Sequence, residues 1–335
     1  MGLTILNAYK GSRAFASFIK SSFSLHYHEF KIIRRVTELH KAGKNEVSEA
    51  IHTPSNKLFF LKNISNNAQF DEMRIKAEEE GKSTDGIGYS LEEQKFRIAK
   101  EVFATSIMKH ILGDKHTPAS IHPVKRIENG LESILVASES VGDLTSLLEN
   151  NFTVKNGKTF ITINNKEYET YGRLAIKIAQ HLLGERDGNP QNIGVVLDEI
   201  EPLAVKTIDH EHSFERHLGQ LDNPEQRNKI IDEEVESLIR ANVFTPFGKK
   251  MDLHQEHINT RDPIRLKIIH DIAHLLNDGT VIRKLFQQTF SHDHSPLYRK
   301  KIQGIVTHLE LMRDIYTKAD LKLHEKHQSA QRLSI

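Results

Sequence analysis

The stretch from Leu183 to Phe214 constrains this chain more than any other. It reads L-L-G-E-R-D-G-N-P-Q-N-I-G-V-V-L, then a brief acidic turn, then L-A-V-K-T-I-D-H-E-H-S-F. Asp187 and Asn192 stand five positions apart across a Gly-Asn-Pro loop, where a proline without an N–H rules out helix. The apolar run Ile193 to Leu197 follows at once as a strand, and a second run, Leu203 to Ile208, ends on Asp209. A hairpin of the two would gather Asp187, Asn192 and Asp209 in one neighbourhood. Two carboxylates and an amide are hard oxygen donors, suited to a divalent cation.

Composition narrows what can surround that hairpin. A chain of 335 residues with 38% hydrophobic content can bury a sizeable core in one large or two modest domains. Lys+Arg 46 against Asp+Glu 45 gives a net charge of +1, so no global basic field points to nucleic acid. Cys 0 excludes disulfides, thiolate metal sites and cysteine nucleophiles, and fits a reducing compartment. No apolar run approaches the ~20 residues of a membrane span, and the N-terminus lacks a signal-peptide plan, so the expectation is a soluble protein. The 20 histidines invite a zinc reading. Yet the close pairs His26 with His28, His210 with His212 and His292 with His294 come without H-E-x-x-H or cysteine partners, and their spacings do not converge on a site.

Upstream, residues 1 to 44 place Phe15, Phe18, Phe23, Phe30, Ile32, Ile33, Val36 and Leu39 among regular Lys and Arg, which predicts one or two amphipathic helices. Lys31, Arg34, Arg35, Lys41 and Lys44 are either a solvated face or a basic face for an anionic lipid or inositol phosphate. Val47 to Ile51 and Lys57 to Ile64 read as strands around a Thr-Pro-Ser-Asn turn, with Lys62 at the end of the second. Residues 65 to 90 are polar and read as a surface loop. Ser90 N-caps a helix to about Leu112, with Ile98, Val102, Phe103, Ile107, Met108, Ile111 and Leu112 on one buried stripe. Val124 to Ile127 and Ser133 to Ser138 form a hairpin around Asn129-Gly130; the chain then passes a Gly142-Asp143 turn into a helix. A polar hairpin around Asn156-Gly157 and a helix from Glu169 to Leu183 lead into the central stretch. Beyond Phe214, helical spacing marks Asp232 to Ala241, Arg265 to Leu276, Val281 to Thr289 and Leu297 to Tyr316, and the polar end from Leu323 to Ile335 reads as frayed or as a secretion signal.

Arg186-Asp187 with Asn192, followed by Ile208-Asp209, resembles the catalytic and metal-binding loops of the protein-kinase-like superfamily. The spacing matches D-x-x-x-x-N, and I-D-H-E-H-S-F resembles the I-D-x-G-x-x-F of its lipid-kinase branch, with Glu211 where that pattern has glycine. The atypical branches are the most similar: phosphoinositide kinases, actin-fragmin kinase, HipA-type toxin kinases and bacterial effector kinases. The resemblance implies an α+β, two-lobed kinase-like fold. A small antiparallel-sheet N-lobe with one key helix would occupy residues 45–140 after an N-terminal helical extension over 1–44, and a mostly helical C-lobe residues 141–335.

The resemblance also implies roles. Lys62 would meet the nucleotide phosphates and pair with a helix glutamate, Glu101, with Glu93 as the alternative; the plain reading is a strand-end lysine reaching water and an exposed glutamate. Glu139, Ser140 and Val141 would offer backbone groups to adenine, or form an ordinary connection. Asp187 would orient the acceptor hydroxyl, and Asn192 and Asp209 would hold Mg²⁺ or Mn²⁺. Arg186 would be structural or meet a phosphate, and His210 and His212 would be structural. No glycine-rich loop precedes Lys62, and no Ala-Pro-Glu motif follows Phe214. The implied function is an ATP-dependent phosphotransferase, most simply an atypical Ser/Thr protein kinase, cytoplasmic or a bacterial effector secreted into a host cytosol. Alternatives are a phosphoinositide kinase, a pseudokinase or nucleotide-binding module, and a protein AMP-transferase. Its partners would be ATP and a protein or phosphoinositide substrate, with no nucleic acid.

Overall fold

The computed structural model describes residues 25–35, 46–63, 76–77, 80–81, 91–128, 131–146, 152–155, 158–185, 192–210, 213–214, 224–239, 263–290 and 296–332. Ser90, the expected N-cap, and residues 1–24 lie outside them. The fold is α+β and two-lobed, as the resemblance implies. Strands β1 (Phe30–Arg35), β2 (Glu46–His52), β3 (Lys57–Asn63), β4 (Ile121–Glu128) and β5 (Leu131–Glu139) make an antiparallel sheet in the order β1-β2-β3-β5-β4. Helix α1 (Leu91–Leu112) runs between β3 and β4 in sequence. The helical lobe contains α2 (Arg173–Leu183), α3 (Pro224–Ile239), α4 (Pro263–Asp278), α5 (Thr280–Thr289) and α6 (Pro296–Arg332).

The sheet's two faces follow from the alternation of side chains along each strand. Phe59, Leu61, Leu135, Ala137, Val124 and Ala50 cluster with Phe30. On the other face Ile134 and Val136 meet Ile98 of α1, with Val102 packed against them. Lys62 therefore belongs to the α1 face, since it lies one residue out of phase with Leu61 and pairs across the ladder with Val136.

Helix α1 has two apolar faces where the sequence spacing predicted one stripe. Ile98 and Val102 meet the sheet, while Phe96, Phe103, Ala104, Ile107 and Met108 enter the core of the helical lobe. Phe103 is fully buried, with ring centroids 5.7 Å from Phe214, 5.6 Å from Phe286 and 5.4 Å from Phe290. A helix apolar on both sides is one that two layers sandwich.

Four local expectations differ. Phe30 to Arg35 is the strand β1 rather than part of a helix, because short apolar runs fit either period and pairing with β2 decides. Arg34 there engages Glu49 through two bonds of 2.5 and 2.8 Å, so the basic helical face does not form at this position. After Gly142-Asp143 comes a strand, β6 (Leu144–Ser146), not a helix. The polar hairpin β7 (Phe152–Lys155) and β8 (Lys158–Ile163) gains β9 (Lys166–Tyr171), so α2 starts only at Arg173, after Gly172 in the left-handed region. The polar stretch from Leu323, expected to fray, continues helix α6 as far as Arg332.

Candidate active site

The central stretch begins where α2 ends. Helix α2 is buried from Leu174 to Leu183, because other elements cover it on every side. His181 Nε2 lies 2.7 Å from Glu234 on α3, and the Tyr316 hydroxyl of α6 donates to the Ile178 carbonyl at 2.8 Å. Gly184 takes φ 57 as the C-cap, and its N–H returns to the carbonyls of Gln180 and His181. The Phe214 N–H then donates to the Leu183 carbonyl at 2.6 Å, which ties together the two ends of the stretch.

Between those ends lies the expected hairpin, in modified form. Strand β10 (Ile193–Val196) pairs antiparallel with β12 (Lys206–Thr207), Ile193 opposite Thr207 and Gly194 opposite Lys206. The single run predicted from Leu203 is divided, since β11 (Leu203–Ala204) pairs in parallel with β9. On its other edge β10 pairs with β6, and Gly194 is required there: a Cβ would stand 2.4 Å from the Thr145 carbonyl oxygen. The Ile208 N–H donates to the Asn192 carbonyl at 2.9 Å, so half-buried Asn192 and Asp209 stand at the same end of the ladder. Arg186, Asp187, Glu211 and His212 lie outside the described residues.

Asp209 leaves the strand with φ 57, a left-handed conformation that aspartate tolerates better than most residues. Its carboxylate is partly exposed and accepts a hydrogen bond from Lys62 Nζ at 2.8 Å. The same ammonium lies 3.4 Å from Glu101 Oε2, and both of those side chains are nearly buried. Strand β3, helix α1 and the end of β12 thus converge on one cation. The alternative helix residue, Glu93, turns instead to Arg97 at 3.4 Å and to Lys301 of α6.

The segment proposed for adenine is partly committed. The Glu139 N–H donates to the Ser120 carbonyl at 2.9 Å, and the Ser140 N–H to the Leu58 carbonyl at 2.9 Å. Of the three residues only Val141 keeps an N–H with no backbone partner among the described residues. The Glu139 carboxylate accepts from Lys57 and from Ser120, each at 2.8 Å. Burial raises its pKa, and those hydrogen bonds with the Lys57 charge outweigh burial, holding it below the ordinary value.

Two supporting groups were not named from the sequence as parts of the site. Glu185, buried just after the α2 cap, accepts from Ser213 Oγ at 2.7 Å and lies 3.4 Å from buried His210. His210 directly follows Asp209, and neither of its buried ring nitrogens makes a hydrogen bond among the described residues. His116 follows α1: its carbonyl accepts from the Thr207 N–H at 2.9 Å, and its Nδ1 lies 2.7 Å from the Val205 carbonyl. Burial lowers its pKa, only partly offset by that carbonyl, so the ring is the neutral Nδ1–H tautomer donating to Val205. Gly172 makes room for this ring, since a Cβ would stand 2.2 Å from His116 Cε1. The one sequence sign of either group is its place shortly after a helix, two residues past Leu183 for Glu185 and four past Leu112 for His116.

No known protein family matches the chain, and no curated protein matches it. Among solved structures, a crystal structure of a Helicobacter pylori proinflammatory kinase, CtkA, is similar at 14% sequence identity, covering 90% of this chain and 98% of that chain with a TM-score of 0.46. A likeness at that distance carries no inference about function. No helix among the described residues is long and apolar enough to cross a membrane.

Proposed function

We propose that the protein is an ATP-dependent phosphotransferase of atypical kinase type that phosphorylates Ser or Thr hydroxyls of a protein. The observation that carries the reading is the single lysine, Lys62, held between Glu101 and Asp209 at 3.4 and 2.8 Å. Those three residues come from three separate elements, and a purely structural ion pair needs only two. On this reading Lys62 neutralises phosphate charge and Glu101 fixes its direction. The partly exposed Asp209 carboxylate and the Asn192 amide are hard oxygen donors that fit Mg²⁺ or Mn²⁺. When bound, metal and nucleotide supply the transferable γ-phosphoryl group and the neutralisation of its charge. Asp187 accepts the hydrogen bond of the incoming hydroxyl and aims it at the phosphorus. Val141 offers its N–H to the adenine.

The test is incubation with γ-labelled ATP and Mg²⁺ or Mn²⁺, with a protein acceptor, with phosphoinositide vesicles, and with soluble inositol phosphates. Label on protein that Asp209→Ala abolishes is the expected result; an unchanged rate in that variant rejects the site. Label on lipid alone moves the substrate to the phosphoinositide class, which the I-D-x-x-x-x-F ending of the central stretch favours. ATP binding without transfer makes the chain a nucleotide-binding module, the reading favoured by Glu211 in the place of glycine. A protein product heavier by AMP rather than phosphate moves the chemistry to AMP transfer.

A further inference from the structure

A second group of chemistry-bearing side chains lies in the helical lobe, on elements that contribute neither Lys62, Glu101, Asn192 nor Asp209. Helices α4 and α6 pack against each other as an antiparallel pair, with Asn277 Nδ2 donating to Thr317 Oγ1 at 3.0 Å at one level of the seam. Two turns along α4 from Asn277 toward its start, His270 faces Asp320, and His324 follows Asp320 by four residues on α6. One oxygen, Asp320 Oδ1, lies 3.3 Å from His270 Nδ1 and 3.5 Å from His324 Nε2. The ligand atoms of all three residues lie within 4.8 Å of one another.

We propose that His270, Asp320 and His324 form a binding site for a zinc-type divalent cation, which clamps the last third of α6 to α4. Three observations support this. A tetrahedral zinc with ligands at 2.0–2.1 Å separates its donor atoms by ~3.3 Å, the spacing that Asp320 Oδ1 already keeps from both imidazoles. The donor set of two imidazoles and one carboxylate suits zinc and neighbouring transition ions, whereas Mg²⁺ and Ca²⁺ prefer oxygen throughout. The frame is also rigid: Ala319 and Leu323, which flank Asp320 and His324, are buried, as are Ile269 and Ala273 on α4. His274, one turn beyond His270, lies with its ring centroid 4.3 Å from that of His270 at 66° and limits its rotation. The fourth coordination position faces solvent, since His324 is the most exposed of the three ligands.

The experiment uses the full chain, stripped with a chelator and titrated with Zn²⁺ against a chromophoric competitor in excess Mg²⁺. Each titration is followed by a thermal melt. One bound equivalent and a raised melting temperature are expected, and Co²⁺ in its place should give the visible absorption of a four-coordinate nitrogen and oxygen site. His324→Ala should weaken binding about tenfold or more, and Asp320→Ala likewise. His324 is exposed, so its removal leaves the fold intact, which an unchanged circular dichroism spectrum checks. Two controls separate this site from others: Asp209→Asn, for the proposed ATP site, and His28→Ala, for the exposed stacked pair His26–His28. Both should bind as wild type. The proposal is overturned if His324→Ala and Asp320→Ala bind as wild type, if either control loses the equivalent, or if no Zn²⁺ binds in excess Mg²⁺. In that last case the cluster is a hydrogen-bonded set of two histidines on one carboxylate.

Discussion

The two lobes hold their share of the candidate active site in different ways. In the sheet lobe, Lys62 stands on a strand whose apolar neighbours form two small clusters, one on each face. In the helical lobe, Asp209 hangs from a loop whose ends are bonded to a helix buried over nearly its whole length. Helix α1 belongs to both, and its ion pairs show it: Glu101 reaches Lys62 of the sheet, while Glu93, two turns earlier, reaches Lys301 of α6. Glu101 is thus fixed to the helical lobe through Phe103, two residues on, and the sheet is fixed to Glu101. The small lobe borrows its order from the large one.

That asymmetry can be broken from either side. Phe103→Ala removes a ring packed on three others and should cost ~3–5 kcal/mol, unfolding both lobes in one transition. A melt in which the sheet lobe alone is lost would contradict the shared role of α1. Leu61→Ala, on the sheet face away from α1, should cost ~2–4 kcal/mol, and hydrogen exchange should localise the loss to β1–β5. Protection lost equally in α2 and α6 would mean that the helical lobe leans on the sheet as well.

Glu101→Gln keeps the shape but removes the negative charge 3.4 Å from Lys62 while its 2.8 Å bond to Asp209 stays, and ~1–3 kcal/mol is expected. Glu93→Gln, whose partner Lys301 is more exposed, should cost under ~1 kcal/mol, and denaturant melts of the two variants test the order. The smallest expected effect is in pH. His116 and His122 both have pKa values lowered first by burial, below the ordinary 6.5. As pH falls from that value, the unfolded chain takes up protons that the fold resists, so stability present above it declines through the depressed folded values. His116→Gln should flatten the fall of melting temperature between neutrality and about pH 5; an unchanged slope assigns the loss to other groups.

Much of the order of elements was legible locally. Short apolar runs between turn residues placed β2, β3, β4 and β5, glycine at position 184 closed α2, and Lys62, Glu101 and Asp209 could be named because their succession along the chain resembles that of the kinase-like superfamily. That the three meet on one ammonium is visible in the structure; that they transfer phosphate is the proposal above. Local pattern could not resolve Phe30 to Arg35 or Leu144 to Ser146, where short runs become strands only because a partner strand lies alongside. Nor could it show that the N–H groups of Glu139 and Ser140 would be taken by Ser120 and Leu58.

The sequence by itself determined the periodicities, the caps and the succession of candidate residues, since these depend on neighbours within a few positions. Tertiary structure alone decided which distant groups share a space: the two-sided burial of α1, the His210–Glu185–Ser213 support, and the meeting of His270 with Asp320 and His324. The spacings His270 to His274 and Asp320 to His324 each put two side chains on one helix face, yet fifty residues separate the pairs along the chain. Only the packing of α4 on α6 brings them within reach, because side-chain chemistry acts through space and sequence distance does not report it.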